Sequence, residues 1–262
     1  MIDFHNHLIP GVDDGATDVA QARAALAAMR DQDVRTVIAT PHLQGALTRS
    51  PERLAARLAE IDGGWEQLRS VAAAEFPDLR VERGAEVMLD APALDLSDPR
   101  CRLAGTSFVL VEFASMTVPP RSVEALFELK MSGWNPVVAH PERYSVQGAG
   151  IAVMGEWKRT GALLQVNTGS LLGKYGSDAE ATAWELLKRG WADYLSSDFH
   201  ARGRLSVQEC RSALVRAGGE RQADLLAQVN PQRLLAGEPP LPVPPLAGRR
   251  SSFWRRLLPG AR

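Results

Sequence analysis

The chain has 262 residues, 45 % of them hydrophobic, enough to bury one large α/β domain or two small ones. Its 30 basic and 31 acidic residues nearly cancel, which excludes a global electrostatic drive toward nucleic acid or an anionic membrane. Two cysteines, Cys101 and Cys210, exclude a disulfide framework and a cysteine-bound zinc site.

The first stretch, "MIDFHNHLIPGVDDG", carries an acidic residue at position 3 where a secretory leader would be basic and then apolar. No uncharged run approaches the ~18 residues needed to span a bilayer, so a cytoplasmic protein is expected. If the opening residues are extended, His5 and His7 project to one side and converge as metal ligands could. Apolar or β-branched runs then recur as "VRTVIATPH", "LRVERGAEVML", "SFVLVEF", "NPVVAHPER", "ALLQVNTGS" and "ADYLSSDFH". Between them, "DVAQARAALAAMRDQ", "PERLAARLAEI", "RSVEALFELKMSG" and "DAEATAWELLKRG" place apolar residues at helical spacing. Strand alternating with helix implies parallel strands joined by crossovers, and seven such units favour an α/β barrel over an open sheet.

In nearly every run the last positions switch to His, Asp or Glu: His5 and His7, then His42, Glu86, Glu112, His140, Asn167, and Asp198 with His200. In a β/α barrel these ends share one face, the catalytic one. Grouping so many ionisable residues is costly without partners, and all five histidines fall at strand ends or in the opening motif. With Asp14, the donors are nitrogen and oxygen only, a set that suits Mn²⁺, Fe²⁺ or Zn²⁺.

Together "DFHNHLIPGVDDG", "ATPH", "GAEV", "VEF", "AHPERY", "QVNTGSLLG" and "SDFH" resemble the PHP (polymerase and histidinol phosphatase) superfamily. More narrowly they are similar to its bacterial tyrosine-phosphatase branch, associated with capsular and exopolysaccharide synthesis. The similarity runs from residue 1 to about 236, and "PG-x-DDG" with "HPERY" is its most specific part. The resemblance implies a distorted (β/α)7, TIM-like barrel holding three divalent ions, usually Mn²⁺, with Fe²⁺, Zn²⁺ or Co²⁺ as alternatives. By the same resemblance His5, His7, Glu86 and Asp198 hold one ion. Glu86 bridges to a second held with Glu112 and His140, and Asp14, His42 and His200 hold the third. Asp3 would then orient a histidine from behind the ligands.

Three divalent ions outweigh the carboxylates of Asp14, Glu86, Glu112 and Asp198, so the pocket favours a phosphate dianion. Such ions lower the pKa of water toward neutrality and supply hydroxide for in-line attack on phosphorus. Arg143, three residues past His140, can offer its fork to two phosphate oxygens. Arg204, four residues past His200, is the second arginine by resemblance, with Arg202 as the alternative because the family's usual spacing from that histidine is slightly longer. "CRSALVR", from Cys210 to Arg216, matches the C-x5-R pattern of thiolate phosphatases but lacks glycine and reads as an amphipathic helix.

The expected activity is removal of phosphate from phosphotyrosine in proteins. The expected partner is a membrane tyrosine autokinase controlling polysaccharide export, with no nucleic-acid role. Alternatives are a small-molecule phosphomonoesterase of the histidinol-phosphatase kind and a non-catalytic PHP scaffold. The phosphatase domain is expected over residues 1–236, followed at 237–262 by a proline-rich linker and an arginine-rich tail with Phe253, Trp254, Leu257 and Leu258. That tail reads either as disordered or as a peripheral contact with anionic lipid or an acidic partner.

Overall fold

Buried on both sides, a parallel strand reads as a continuous apolar run, and the computed structural model, which describes residues 1–145 and 150–247, shows where those runs go. Among the described residues nine strands form: β1 (Ile2–Asp3), β2 (Thr36–Ala39), β3 (His42–Gln44), β4 (Arg80–Arg83), β5 (Glu86–Met88), β6 (Phe108–Glu112), β7 (Asn135–Ala139), β8 (Leu163–Asn167) and β9 (Tyr194–Ser196). All pairings are parallel, in the orders β1-β2-β4 and β3-β5-β6-β7-β8-β9. The two sheets are one interrupted wall. β2 and β3 are separated only by Thr40 and Pro41, and β4 and β5 only by Gly84 and Ala85. Proline has no N–H to give the ladder, yet Glu86 N donates to Pro41 O, so pairing resumes across the break. The nine strands therefore occupy the seven expected positions.

Closure comes between the first and last strands, where Asp198 N donates to His5 O and His7 N to Phe199 O. The side chain of Ser196 accepts from the backbone N–H of both Phe4 and His5. The alternation within strands sorts the core. Phe108 and Leu110 of β6 meet Val137 and Ala139 of β7, Phe4, Ile38 and Tyr194 inside the barrel. Val109, Val111 and Val138 instead face the surrounding helices in a larger cluster. By the same parity Glu112 continues the inward face of Phe108 and Leu110.

The helices are α1 (Val19–Asp31), α2 (Pro51–Glu75), α3 (Ser122–Met131), α4 (Ala152–Arg159), α5 (Ser177–Arg189), α6 (Val207–Arg216), α7 (Glu220–Asp224) and α8 (Asn230–Leu235). Asp18 caps α1 by accepting from Gln21 N, and Pro51 opens α2. α2 runs well beyond the expected segment because Gly64 is a contact, not a stop. A Cβ there would come within 2.7 Å of Ile9 Cγ2 and Pro10 O, so the helix lies directly on the opening motif.

The stretch expected as a linker is fastened to the barrel as far as Leu246. Asn230 accepts from Leu241 N and donates to Asp193 O, Leu246 N donates to Leu187 O, and Val243 and Leu246 are buried. Phe253, Trp254, Leu257 and Leu258 lie outside the described residues.

Candidate metal centre

Register and turn geometry bring the strand ends to one point. His42 and Glu86 are partners in the β3–β5 ladder, and Glu112 ends β6 beside Met88. His140 and Asp198 take up left-handed backbone conformations, with φ of 36° and 52°. That costs about 1–2 kcal/mol for a non-glycine residue, and it turns both side chains off the strand direction at the barrel mouth. Gly15 of the opening motif is equally constrained: a Cβ would lie 2.0 Å from His7 O.

All nine expected ligands converge. His5 Nε2 lies 3.2 Å from Glu86 Oε1 and 3.3 Å from Asp198 Oδ1; His7 Nε2 lies 3.4 Å from both Glu86 Oε2 and Asp198 Oδ1. His42 Nδ1 is 3.1 Å from Glu86 Oε2 and from Glu112 Oε1, while its Nε2 is 3.4 Å from Asp14 Oδ1. His140 Nε2 approaches Glu86 Oε1 at 3.0 Å, and His200 Nε2 approaches Asp14 Oδ1 at 3.3 Å. Donor atoms gather as His7, Asp14, His42 and His200; as His5, His140 and Asp198; as His5, His7 and Glu86; and as His42, Glu86 and Glu112. Glu112 thus sits with His42, and His140 with His5 and Asp198, a different partition from the expected pairing of Glu112 with His140.

The residues fit divalent ions on their own chemistry. His5 Nε2, His7 Nε2, His42 Nδ1, Glu86 Oε2, Glu112 Oε1 and His140 Nδ1 are buried without a hydrogen-bond partner, a costly arrangement unless a cation satisfies them. Electrostatics agree. Burial alone would depress the histidines, but Glu86 and Asp198 raise His5, and Glu112 and Glu86 raise His42 to about 10. Against its own burial, Glu86 is held well below the carboxylate range by His5, His140 and His42. The carboxylates hold positive charge at the centre of the cluster, as protons or as metal.

Behind the candidate ligands stand Gln165 and Asp13, which sequence reading passed over, and Asn167, which it placed only at a strand end. Gln165 Oε1 meets His5 Nδ1 at 2.7 Å; Gln165 Nε2 donates to Asn167 Oδ1, and Asn167 Nδ2 donates to Asp198 Oδ2. Two amides on the inward face of an otherwise apolar strand were the available signal. Asp13, not Asp3, orients a histidine: its Oδ2 lies 2.8 Å from His7 Nδ1 and also accepts from His42 N. Asp3 instead accepts from Asn6 and from Ser197 N, so it holds the β1–β9 seam. Buried Glu142 accepts from Asn167 N and Ser170 Oγ, tying the "HPER" loop to the end of β8. Tyr144 is core, packed edge-on to Phe113 and accepting from its N–H.

Of the arginines, Arg143 Nη1 donates to Asp198 Oδ2 at 2.6 Å, at the edge of the cluster. Arg204 is exposed and pairs with Glu209 on α6, whereas Arg202 donates to the backbone O of Asp14. Cys210 is buried on α6, and burial pushes its thiol up to about 12.

A parallel barrel with such donors at its strand ends defines an amidohydrolase- or PHP-like protein. An organophosphorus hydrolase variant from Deinococcus radiodurans shares that frame, at TM-score 0.51 and 17 % identity over 89 % of this chain and 92 % of the other. The chain belongs to the CpsB/CapC family of capsular polysaccharide synthesis, which matches residues 1–236. It is 32 % identical over 203 residues to the tyrosine-protein phosphatase YwqE of Bacillus subtilis, covering 76 % of this chain and 77 % of that one. To the tyrosine-protein phosphatase CpsB of Streptococcus pneumoniae it is 26 % identical over 244 residues, covering 90 % and 98 %. One structure from the crystallographic work on YwqE and CpsB, described as unique metal-dependent tyrosine phosphatases, superposes at TM-score 0.77 with 27 % identity. It covers 95 % of this chain and 100 % of the other.

Proposed function

We infer that this chain is a metal-dependent tyrosine-protein phosphatase of the CpsB/YwqE type, linked to capsule synthesis. The observation that carries the reading is the set of unpartnered buried nitrogen and oxygen donors at the barrel mouth with Arg143 at their edge. In this reading three ions, with Mn²⁺ favoured by the carboxylates Asp14, Glu86, Glu112 and Asp198, would be shared among the groups the donors form: His5, His7, His140, Glu86 and Asp198 at the buried end; His42, Glu86 and Glu112; and His7, Asp14, His42 and His200 at the open end. Bound there, divalent ions supply Lewis-acid activation of the phosphoryl group and of water. Arg143 offers phosphate oxygens the N–H groups it does not give to Asp198, and that Asp198 contact holds the guanidinium at the edge of the cluster. Arg204 or Arg202 supplies the second guanidinium, Arg202 being the one already beside Asp14. Asp13 and Gln165 hold the ring orientations of His7 and His5.

The substrate is a phosphotyrosine protein, and the proposed one is a membrane tyrosine autokinase that governs polysaccharide export. No helix among the described residues is long and apolar enough to cross a membrane. We place the protein in the cytoplasm, with residues 1–236 as the phosphatase domain and the basic end beyond residue 247 as its contact with the membrane or the kinase. Truncation after residue 247 should weaken that association and leave turnover of a soluble peptide intact; unchanged association removes the idea.

The deciding experiment is phosphate release from a phosphotyrosine peptide by chelator-stripped protein restored with Mn²⁺, with histidinol phosphate in parallel. Peptide turnover that requires metal and survives thiol alkylation supports the reading. Preference for histidinol phosphate moves the function to small-molecule metabolism, and turnover of neither leaves a scaffold.

A further inference from the structure

Tyr175 lies in the loop joining β8 to α5, and its ring covers the Arg143 guanidinium, with the Arg143 Cζ 4.3 Å from the ring centroid. The position is built. A Cβ on Gly169 would come within 3.0 Å of Tyr175 Cε2, so glycine there lets the ring lie against the backbone. Glu142 ties this loop to the "HPER" loop through Asn167 and Ser170, and Lys174 Nζ donates to Arg204 O, tying it to the loop that follows His200. Yet Tyr175 remains 39 % exposed, whereas Tyr144 is buried and Phe199 is packed against the core. An aromatic surface is thus held at the rim of the metal centre, one guanidinium away from Asp198.

We propose that Tyr175 determines specificity for aryl phosphates: its ring positions Arg143 for the phosphate and offers its open surface to the phenyl ring of the substrate. The proposal rests on the phosphotyrosine reading and deepens it. A phosphate seated at the ions leaves the aryl group of phosphotyrosine at the mouth, where stacking or edge-on packing favours it; an alkyl chain there gains less. The guanidinium contact adds a second effect, since a cation lying on a ring loses little freedom when it forks onto an oxyanion.

The test uses the Mn²⁺-loaded full chain and three variants, Tyr175→Phe, Tyr175→Leu and Tyr175→Ala. Calorimetry compares phenylphosphonate with methylphosphonate, neither of which is hydrolysed, and kinetics compare KM with kcat on a phosphotyrosine peptide. The expected result is that Tyr175→Ala and Tyr175→Leu weaken phenylphosphonate about fivefold more than methylphosphonate and raise the peptide KM by a similar factor. Tyr175→Phe should restore both. Equal weakening of the two phosphonates, or a phenylalanine variant as poor as leucine, overturns the proposal. A wild-type protein that ignores the peptide but prefers phenylphosphonate overturns the phosphotyrosine reading and leaves the aromatic wall standing.

Discussion

The two ends of the metal centre differ in how they meet water. At one end the side chains of His5, Glu86, Asp198 and His140 are at most 4 % exposed; at the other His200, His42 and Asp14 are 22 %, 34 % and 59 % exposed. A buried charge must be matched by another or it destabilises the fold, whereas a wet one is screened. The buried end is accordingly braced by the Gln165 and Asn167 amides and by two left-handed backbone positions. The open end is braced mainly through Asp13 and Arg202. One end should therefore keep its ions and the other exchange them.

Glu86→Gln breaks this comparison most severely, because one carboxylate serves His5, His7, His42 and His140. It should lower kcat/KM on a phosphotyrosine peptide by about a thousandfold, and metal analysis should show ions lost that excess Mn²⁺ does not restore. Asp14→Asn, at the wet end, should cost about tenfold to a hundredfold, and excess Mn²⁺ should recover most of it. Equal, unrescued losses would mean that the two ends act as one unit.

Gln165→Leu sharpens the point without touching a ligand. It frees the His5 ring and cuts the path through Asn167 to Asp198, so metal affinity should fall about 10- to 100-fold. A competition titration against a fluorescent chelator reads this directly. Affinity unchanged within twofold would show that packing alone orients His5.

Protonation supplies a third comparison. With His42 raised to about 10, and His5 and His7 raised as well, the metal-free cluster holds protons at neutral pH that a cation must displace. Mn²⁺ added to chelator-stripped protein in weak buffer should therefore acidify the solution. Apparent affinity should rise with pH until it passes the raised histidine values and fall as the medium is made acidic. The signs for the metal-free fold run separately. The stabilisation from protonated His42 is present below its ordinary value and lost as pH rises through about 10, while that from Glu86 is lost only when pH falls through its depressed value. No proton release on metal addition would contradict the assignment of these histidines as ligands.

What the sequence made legible follows from where the physics is local. The apolar runs, the seven barrel positions and the nine donors could be read because each depends on a few neighbouring residues and on strand polarity. Asp13 and Gln165 were missed because their role exists only across space, between residues six and 160 positions apart. Arg204 illustrates the same limit: counting from His200 cannot tell that its side chain turns to Glu209 while Arg202 reaches Asp14. The proline-rich stretch after residue 236 reads as a linker by composition. Its hold on the barrel comes from Asn230 and Leu187, which no composition rule connects to it.

The smallest expected effect falls on the residue that a motif search would rank first. In "CRSALVR" a thiolate mechanism needs backbone N–H groups wrapped around phosphate, but Cys210 to Arg216 are helical and their N–H groups are committed to the helix. Burial raises the Cys210 thiol to about 12, so at neutral pH almost none of it is thiolate. Cys210→Ala should leave kcat and KM on the phosphotyrosine peptide within about twofold, and iodoacetamide should not inactivate the native protein. The lost packing should cost stability by about 1 kcal/mol, read as a shift in denaturant midpoint with unchanged slope. Loss of turnover in a folded Cys210→Ala protein would move the chemistry from the barrel mouth to α6, against every donor the strands bring together.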